Sequence, residues 1–418
     1  MFTRLIATLM LGLLAQAPAH AQALEQAVIT HFAQPGLSAD QLGVIVNDDD
    51  PDSVAIAAYY LDKRNIPAAN LIHVRFKPGS SNMSRETFTN LKRRVDRITP
   101  KTIQAFALTW AQPYRVDCMS ITAAFAFGFD PAYCASTCKA TQPSPYFNSN
   151  VARPYTTYKM RPTMSLAAAS VAGAKQLIDR GVASDHSNPA GTAYLLSTSD
   201  KARNVRAAGF EALRIQMQPI IPTEIVQADT LARKKDVMFY FTGLTHVPSL
   251  DSNTFLPGAI GDHLTSAGGD LFGTGQMSSL KWLEAGATGS YGAVVEPCNF
   301  PNKFPVPGVV MAHYLMGETL IEAYWKSVQM PGQGIFIGEP LARPFAGVTQ
   351  RAGDGSMTLT ARLIAPGLYD VQAAPSMMGP YRTVARLPVG WGTRELKLGK
   401  IPPAYYRFDR RAETPSTP

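Results

Sequence analysis

Short apolar runs alternate with helical stretches along the first third of this chain, and that alternation leaves few folds open. Leu42 to Val46 is continuously apolar. Ser53 to Arg64 carries Val54, Ala57, Ala58 and Leu61 at helical spacing. Leu71 to Phe76 predicts a second strand, Ser84 opens a helix running to about Ile98, and Thr102 to Trp110 predicts a third strand. Parallel strands need long crossovers, usually helical. A β-α-β-α-β order therefore predicts an α/β protein with a mostly parallel sheet, flanked by helices and joined by right-handed connections. Farther along, Thr192 to Ser197, Asp236 to Phe241, Ser290 to Glu296 and Gly334 to Ile337 read as strands. Leu166 to Arg180, a stretch capped by Asp200, Met277 to Ala285 and Val309 to Ser327 read as helices, with Gly181 the expected C-cap of the first.

Two regions depart from the alternation. Residues 111–163 are rich in proline, tyrosine and cysteine and show no sustained period, which predicts an insertion folded over the strand ends. Beyond Pro344 the runs at Met357 to Ile364, Leu368 to Ala373, Tyr381 to Leu387 and Thr393 to Leu398 are separated by Gly or Pro turns. They predict a small C-terminal β-sandwich at 345–412. Residues 413–418 read as a disordered tail.

At the front, Arg4 is the sole early charge, Leu5 to Leu14 form a short apolar core, and Ala19-His20-Ala21 fits a cleavage site. Residues 1–21 therefore read as a secretory signal peptide, and the chain is expected to be exported, periplasmic or extracellular. No integral membrane segment is expected in the mature chain, because no later apolar run reaches spanning length. The formal charge is +8, and losing Arg4 with the leader leaves +7. Basic residues are scattered. Lys92, Arg93 and Arg94 fit a solvated helix face, and no nucleic-acid partner is expected. Cys118, Cys134, Cys138 and Cys298 are even in number, which in an oxidising compartment predicts two disulfides. Three pairings are open, among them Cys134 with Cys138 and Cys118 with Cys298.

Chemistry concentrates between Asp236 and Asn299. The run DVMFYFTG delivers His246 just past a strand, a strand around Phe255 to Leu264 delivers Ser266, and GATGSYGAVVEPCNF delivers Cys298. Sites in open α/β sheets gather at such strand ends. Imidazole suits general-base work near neutral pH, and a serine nucleophile needs an adjacent base. His246 with Ser266 therefore forms the expected catalytic dyad, with amides near Gly268 and Gly269 as oxyanion donors. Cys298 is the alternative nucleophile, unless it is bridged. His263 ranks behind His246 as a base. Asp262, His263 and His246 form a weak metal set without a recognised spacing. Asp48, Asp50 and Asp52 alternate in an acidic turn, so calcium is the one cofactor considered, although helix capping explains the run more simply. No P-loop or G-x-G-x-x-G turn is present.

The segments GATGSYGAVVEP, GETLIEAYWKS and FIGEPLARPF resemble the end of the gingipain-type, caspase-like cysteine peptidase domain. The resemblance implies a caspase-like α/β domain over 22–344 and an immunoglobulin-like β domain over 345–412. Motifs such as VNDDDPDSVAIAAYY, GDHLTSAGG, GSYGAVVEPCNF and IGEPLARPF also resemble a family of uncharacterised exported bacterial proteins of similar length. Gingipain-type enzymes carry histidine-glycine after one strand and cysteine after the next. Here Val247 follows His246, and Ser266 stands where the resemblance implies the nucleophile. It thus implies an exported hydrolase of a peptide or related acyl bond, acting on a peptide or protein substrate. The alternative is a catalytically inactive envelope binding or scaffold protein on the same fold.

Overall fold

The computed structural model describes residues 36–135, 138–354, 356–375, 380–400 and 405–411; the expected leader and the tail at 413–418 lie outside them. Ten strands form the main sheet: β1 (Leu42–Asn47), β2 (Leu71–Val74), β3 (Ala105–Leu108), β4 (Thr163–Ser165), β5 (Thr192–Ser197), β6 (Thr223–Gln227), β7 (Val237–Thr242), β8 (Phe255–His263), β9 (Gly289–Ala293) and β10 (Gly334–Gly338). Their spatial order is β2-β1-β3-β4-β10-β9-β8-β7-β5-β6. Pairing is parallel from β2 to β4 and from β9 to β6. β10 runs antiparallel to β9 and bridges β4 at Ile337 and Ser165. The mostly parallel sheet flanked by helices is therefore the observed architecture.

Local chemistry sets the helix ends. In α1 (Pro51–Arg64) Asp50 accepts the Asp52 amide, Pro51 occupies the first turn, and Asn65 ends the helix at φ 51°. In α2 (Arg85–Ile98) Ser84 accepts the Thr87 amide, and Phe88, Leu91 and Val95 form the buried stripe. α3 (Ile121–Phe127) lies inside the 111–163 region, and its first six residues are buried. Phe125 sits edge-on to Phe88, Phe106 and Trp110. Part of the expected insertion is thus core rather than cover.

Several helix boundaries differ from expectation; the helices expected from Leu166 and from Met277 begin at Val171 and Leu280, and others differ for visible reasons. α4 (Val171–Ser184) runs through Gly181, which is no C-cap. A Cβ there would meet the Glu339 side chain, which Arg64 and Tyr60 also bind. The glycine admits a buried carboxylate. The expected long helix from Val309 is two helices, α7 (Pro307–Leu315) and α8 (Leu320–Ser327), counting α5 (Phe210–Met217) and α6 (Leu280–Glu284) before them. Gly317 at φ +87° breaks the run, and a Thr319–Glu322 capping box restarts it. The stretch after Asp200 forms a 3-10 turn, Asn204–Gly209, before α5 begins.

The C-terminal strands are β11 (Val348–Arg351), β12 (Ser356–Thr360), β13 (Gly367–Ala374), β14 (Arg382–Val389), β15 (Glu395–Lys400) and β16 (Tyr405–Arg410). They form two three-stranded antiparallel sheets, β11-β12-β15 and β14-β13-β16. Met357 and Leu359 from one sheet share a buried cluster with Tyr369, Val371, Tyr406 and Phe408 from the other, which makes a sandwich.

Two disulfides staple the chain, Cys118–Cys134 and Cys138–Cys298. The pairing Cys134 with Cys138 is not formed. No helix among the described residues is long and apolar enough to cross a membrane.

Candidate functional site

β7 reads Val-Met-Phe-Tyr-Phe-Thr and is buried throughout. Beyond Thr242 the chain leaves the sheet through Gly243, which fits tightly against the Arg203 carbonyl. The following loop exposes His246 and buries Val247. Neighbouring β8 ends at His263, with the Leu264 amide bonded to the Thr242 carbonyl (3.0 Å). Ser266 to Gly269 then form a turn, in which Ser266 is half-buried.

One segment holds both loops. The Met277 amide donates to the Thr245 carbonyl (2.9 Å), beside His246. Gln276 Oε1 accepts from the Ala267 amide (2.8 Å) and the Thr265 hydroxyl (2.7 Å), on both sides of Ser266. The His246 loop and the Ser266 turn thus hang on adjacent residues. No hydrogen bond joins His246 to Ser266, and neither side chain has a hydrogen-bond partner among the described residues. A cleft of about 260 Å³ opens along the same turn, lined by Ala267, Asp270, Gly273, Gly275 and Gln276 but not by Ser266 or His246. Tyr114, from the far half of the sheet, donates its hydroxyl to Asp270 Oδ1 (2.6 Å). Burial, then the bond to Asp270, pushes this phenol up to about 12.

Beneath the loops lies a buried ionic clamp. Arg206 donates through Nη1 to Asp262 Oδ1 (2.6 Å) and the Pro305 carbonyl (3.3 Å), and through Nη2 to the Thr242 carbonyl (2.5 Å). It therefore ties the tips of β7 and β8. Burial raises the Asp262 carboxyl and Arg206 pulls against that shift. Above it, Arg203 Nε donates to the Thr265 hydroxyl (3.1 Å).

Several expected roles fail on these contacts. His263 is buried, its Nδ1 accepts from Trp282 Nε1 (2.9 Å), and its Nε2 faces the Met277 carbonyl (3.0 Å). A carbonyl only accepts, so Nε2 carries the proton and no lone pair is left for a base or a metal. Burial first, with Arg206 and His246 adding to it against the Met277 bond, lowers this imidazole to about 3. Asp262, His263 and His246 are therefore no metal set, and no group of three such ligands exists among the described residues. Cys298 is bridged to Cys138, which removes it as the alternative nucleophile.

The glycines also have a different use from the one expected. The Gly269 amide is spent on the Ala293 carbonyl (2.8 Å), so it is no oxyanion donor. A Cβ on Gly292 would stand 2.5 Å from the Gly268 carbonyl oxygen, and one on Gly269 would stand 2.5 Å from the Gly292 carbonyl oxygen. The bare turn lies flush on β9, and side chains would separate the two. Of the two expected donors, only the Gly268 amide remains uncommitted.

The acidic turn is likewise engaged. Asp48 pairs with His73 (2.7 Å) and Arg75 (3.6 Å), Asp49 pairs with Arg75 (2.7 Å), and Asp50 caps α1. Asp48, Asp50 and Asp52 do not converge on a calcium site.

Sequence reasoning passed over Arg206, Gln276, Asp270 and Tyr114. Arg206 sits in a 3-10 turn whose sequence shows no period, and Tyr114 lies 156 residues before Asp270. Asp270, adjoining Gly268-Gly269, was the one open to notice.

No protein-family model and no curated protein matches the chain. Among solved structures it is similar to the complex of Porphyromonas gingivalis RgpB pro- and mature domains, at 8% identity and a TM-score of 0.41, covering 85% of this chain and 94% of that one. It is also similar to a chain described as a protease, at 10% identity and a TM-score of 0.38, covering 90% of this chain and 98% of the other. Likeness at this level carries nothing about activity, since a shared architecture does not specify a chemistry.

Proposed function

We propose that the chain is an exported hydrolase of a peptide or related acyl bond, acting at the rim shared by β7 and β8. The supporting observation is the pair of uncommitted side chains, His246 and Ser266, on loops pinned to the adjacent residues Gln276 and Met277 beside an open cleft. His246 takes the Ser266 proton as the hydroxyl oxygen attacks the acyl carbon. The Gly268 amide faces the developing oxyanion, and His246 gives its proton to the leaving group as the scissile acyl bond breaks. Water then attacks the acyl carbon with His246 as base again, and the acid departs as the proton returns to Ser266 Oγ. Catalytic hydrogen bonds are often long without substrate and tighten in the reacting complex. Binding must therefore draw His246 onto Ser266. Export is proposed on the expected leader and accords with the two disulfides.

A second reading has its own support. The Ala267 and Gly269 amides that follow the serine are committed to Gln276 and Ala293, an arrangement that suits a binding cleft without turnover. One experiment separates the two. The full chain is exposed to a fluorophosphonate, and intact-mass and peptide mapping locate the adduct. Hydrolysis predicts an adduct on Ser266, abolished by Ser266→Ala and strongly slowed by His246→Ala, with both variants folded. A wild-type protein that takes no adduct and cleaves no member of a fluorogenic peptide library is a binding protein.

A further inference from the structure

The two disulfides sit in different surroundings. Cys134 packs against the main hydrophobic core next to Tyr133, whose ring stacks on Phe127 at 4.4 Å. Cys138 is exposed and its partner Cys298 is half-buried. Both line a concavity of about 580 Å³ together with Glu296, Asn299 and Phe300. Cys298 is held at φ 56°, in the left-handed region that side chains other than glycine and asparagine seldom adopt. Exposed disulfides are the labile ones, because exchange requires in-line access of a thiolate to a sulfur.

We propose that Cys138–Cys298 is a thiol–disulfide exchange site for a protein dithiol, and that Cys118–Cys134 is a fixed staple. The donor thiolate bonds to the Sγ of Cys138, the more exposed residue of the pair, the Cys138–Cys298 bond breaks, and the electron pair leaves on Cys298 Sγ, which takes a proton from water. The donor's second thiol, as its thiolate, attacks the mixed disulfide. Cys138 leaves as a thiolate and is protonated, and the donor departs as a disulfide. Two electrons pass from donor to bridge.

The opening is local. The insertion keeps other ties, from the Ser144 amide to the Gln329 carbonyl (2.8 Å) and from the Asn148 amide to the Lys326 carbonyl (2.8 Å). Gln333 Nε2 still holds the Glu296 carbonyl (3.0 Å) at the exit of β9. That exit carries the Ala293 carbonyl on which the Ser266 turn rests, so the bridge clamps the insertion to the floor of the candidate site. The exchange chemistry itself does not require that site to be hydrolytic.

The test uses the full oxidised chain. Limiting dithiothreitol is added at pH 8, samples are quenched in acid, and alkylated cysteines are counted by mass spectrometry. Cys138 and Cys298 are expected to become labelled ~10-fold or more faster than Cys118 and Cys134, with the far-UV circular dichroism unchanged. Equal rates, earlier opening of Cys118–Cys134, or loss of the spectrum on opening overturns the proposal. In parallel, a thioredoxin-fold dithiol protein whose resolving cysteine is changed to serine traps the intermediate. A mixed disulfide on Cys138 is expected; one on Cys298, or none, refutes the assignment.

Discussion

Replacing Gly292 by alanine tests whether the glycines near Ser266 serve packing. The added Cβ on β9 meets backbone, 2.5 Å from the Gly268 carbonyl oxygen, and a main chain inside a packed turn cannot step aside as a flexible side chain can. Overpacking of this kind costs about 1–3 kcal/mol. Displacing the turn also breaks the bond from the Gly269 amide to the Ala293 carbonyl, worth about 1 kcal/mol net. Alanine returns roughly 0.4–1 kcal/mol by restricting the unfolded chain. The net loss is about 2 kcal/mol, near a thirty-fold change in the folding equilibrium. Equilibrium urea unfolding followed by tryptophan fluorescence reads it, since Trp282 is buried in this half of the sheet. Gly275→Ala is the control: its Cβ meets nothing within 4 Å, and its stability should stay within about 0.5 kcal/mol of wild type. A Gly292→Ala protein as stable as wild type, or a Gly275→Ala protein equally weakened, refutes the close-packing account.

Other expectations follow from the buried ionisable groups. His263 is lowered to about 3, so the unfolded chain binds its proton first. Its share of stability is whole above the unfolded value of about 6.5 and is lost as pH falls from there toward 3, at up to about 1.4 kcal/mol per pH unit. His263→Gln should flatten the pH dependence of urea stability between pH 6.5 and 5 by one proton; an unaltered slope contradicts the assignment. Glu318, lowered to about 2, its burial outweighed by His313 and Lys326, adds a second loss only below about 4.5, which Glu318→Gln should remove. Arg206→Met strands the buried Asp262 and should cost about 3–5 kcal/mol, whereas Arg206→Met with Asp262→Leu should cost far less. Additive losses in that double-mutant cycle would show the two residues to be uncoupled.

Much of the frame was legible because burial on both faces writes itself as unbroken apolar sequence. β1 and β7 are such runs, and both were placed to within a residue or two. β4 was hidden because three residues carry no period, and β6, an edge strand reading Thr-Glu-Ile-Val-Gln, looks polar. Gly181 and Gly317 show why glycine is ambiguous in sequence: one makes room for a carboxylate inside a helix and the other ends a helix. At the site, the strand ends bearing His246 and Ser266 were readable, as was the need to ask whether Cys298 was bridged. The partners that decide each side chain's role were not. Trp282 on His263, Gln276 on Ala267 and Ala293 on Gly269 are contacts made by tertiary folding, and no local pattern encodes them.

The position of β10 bears on how the chain must be made. This strand is the last of its sheet to be synthesised, yet it fills the slot between β4 and β9. Until residues 334–338 emerge, those two neighbours each present an unsatisfied backbone ladder at what will become the middle of the sheet, and naked edges of that kind invite pairing with other chains. Joining of the two flanks therefore waits until residues 334–338 are made, and a polypeptide cut short before Gly334 would be left with two sticky half-sheets rather than a smaller domain.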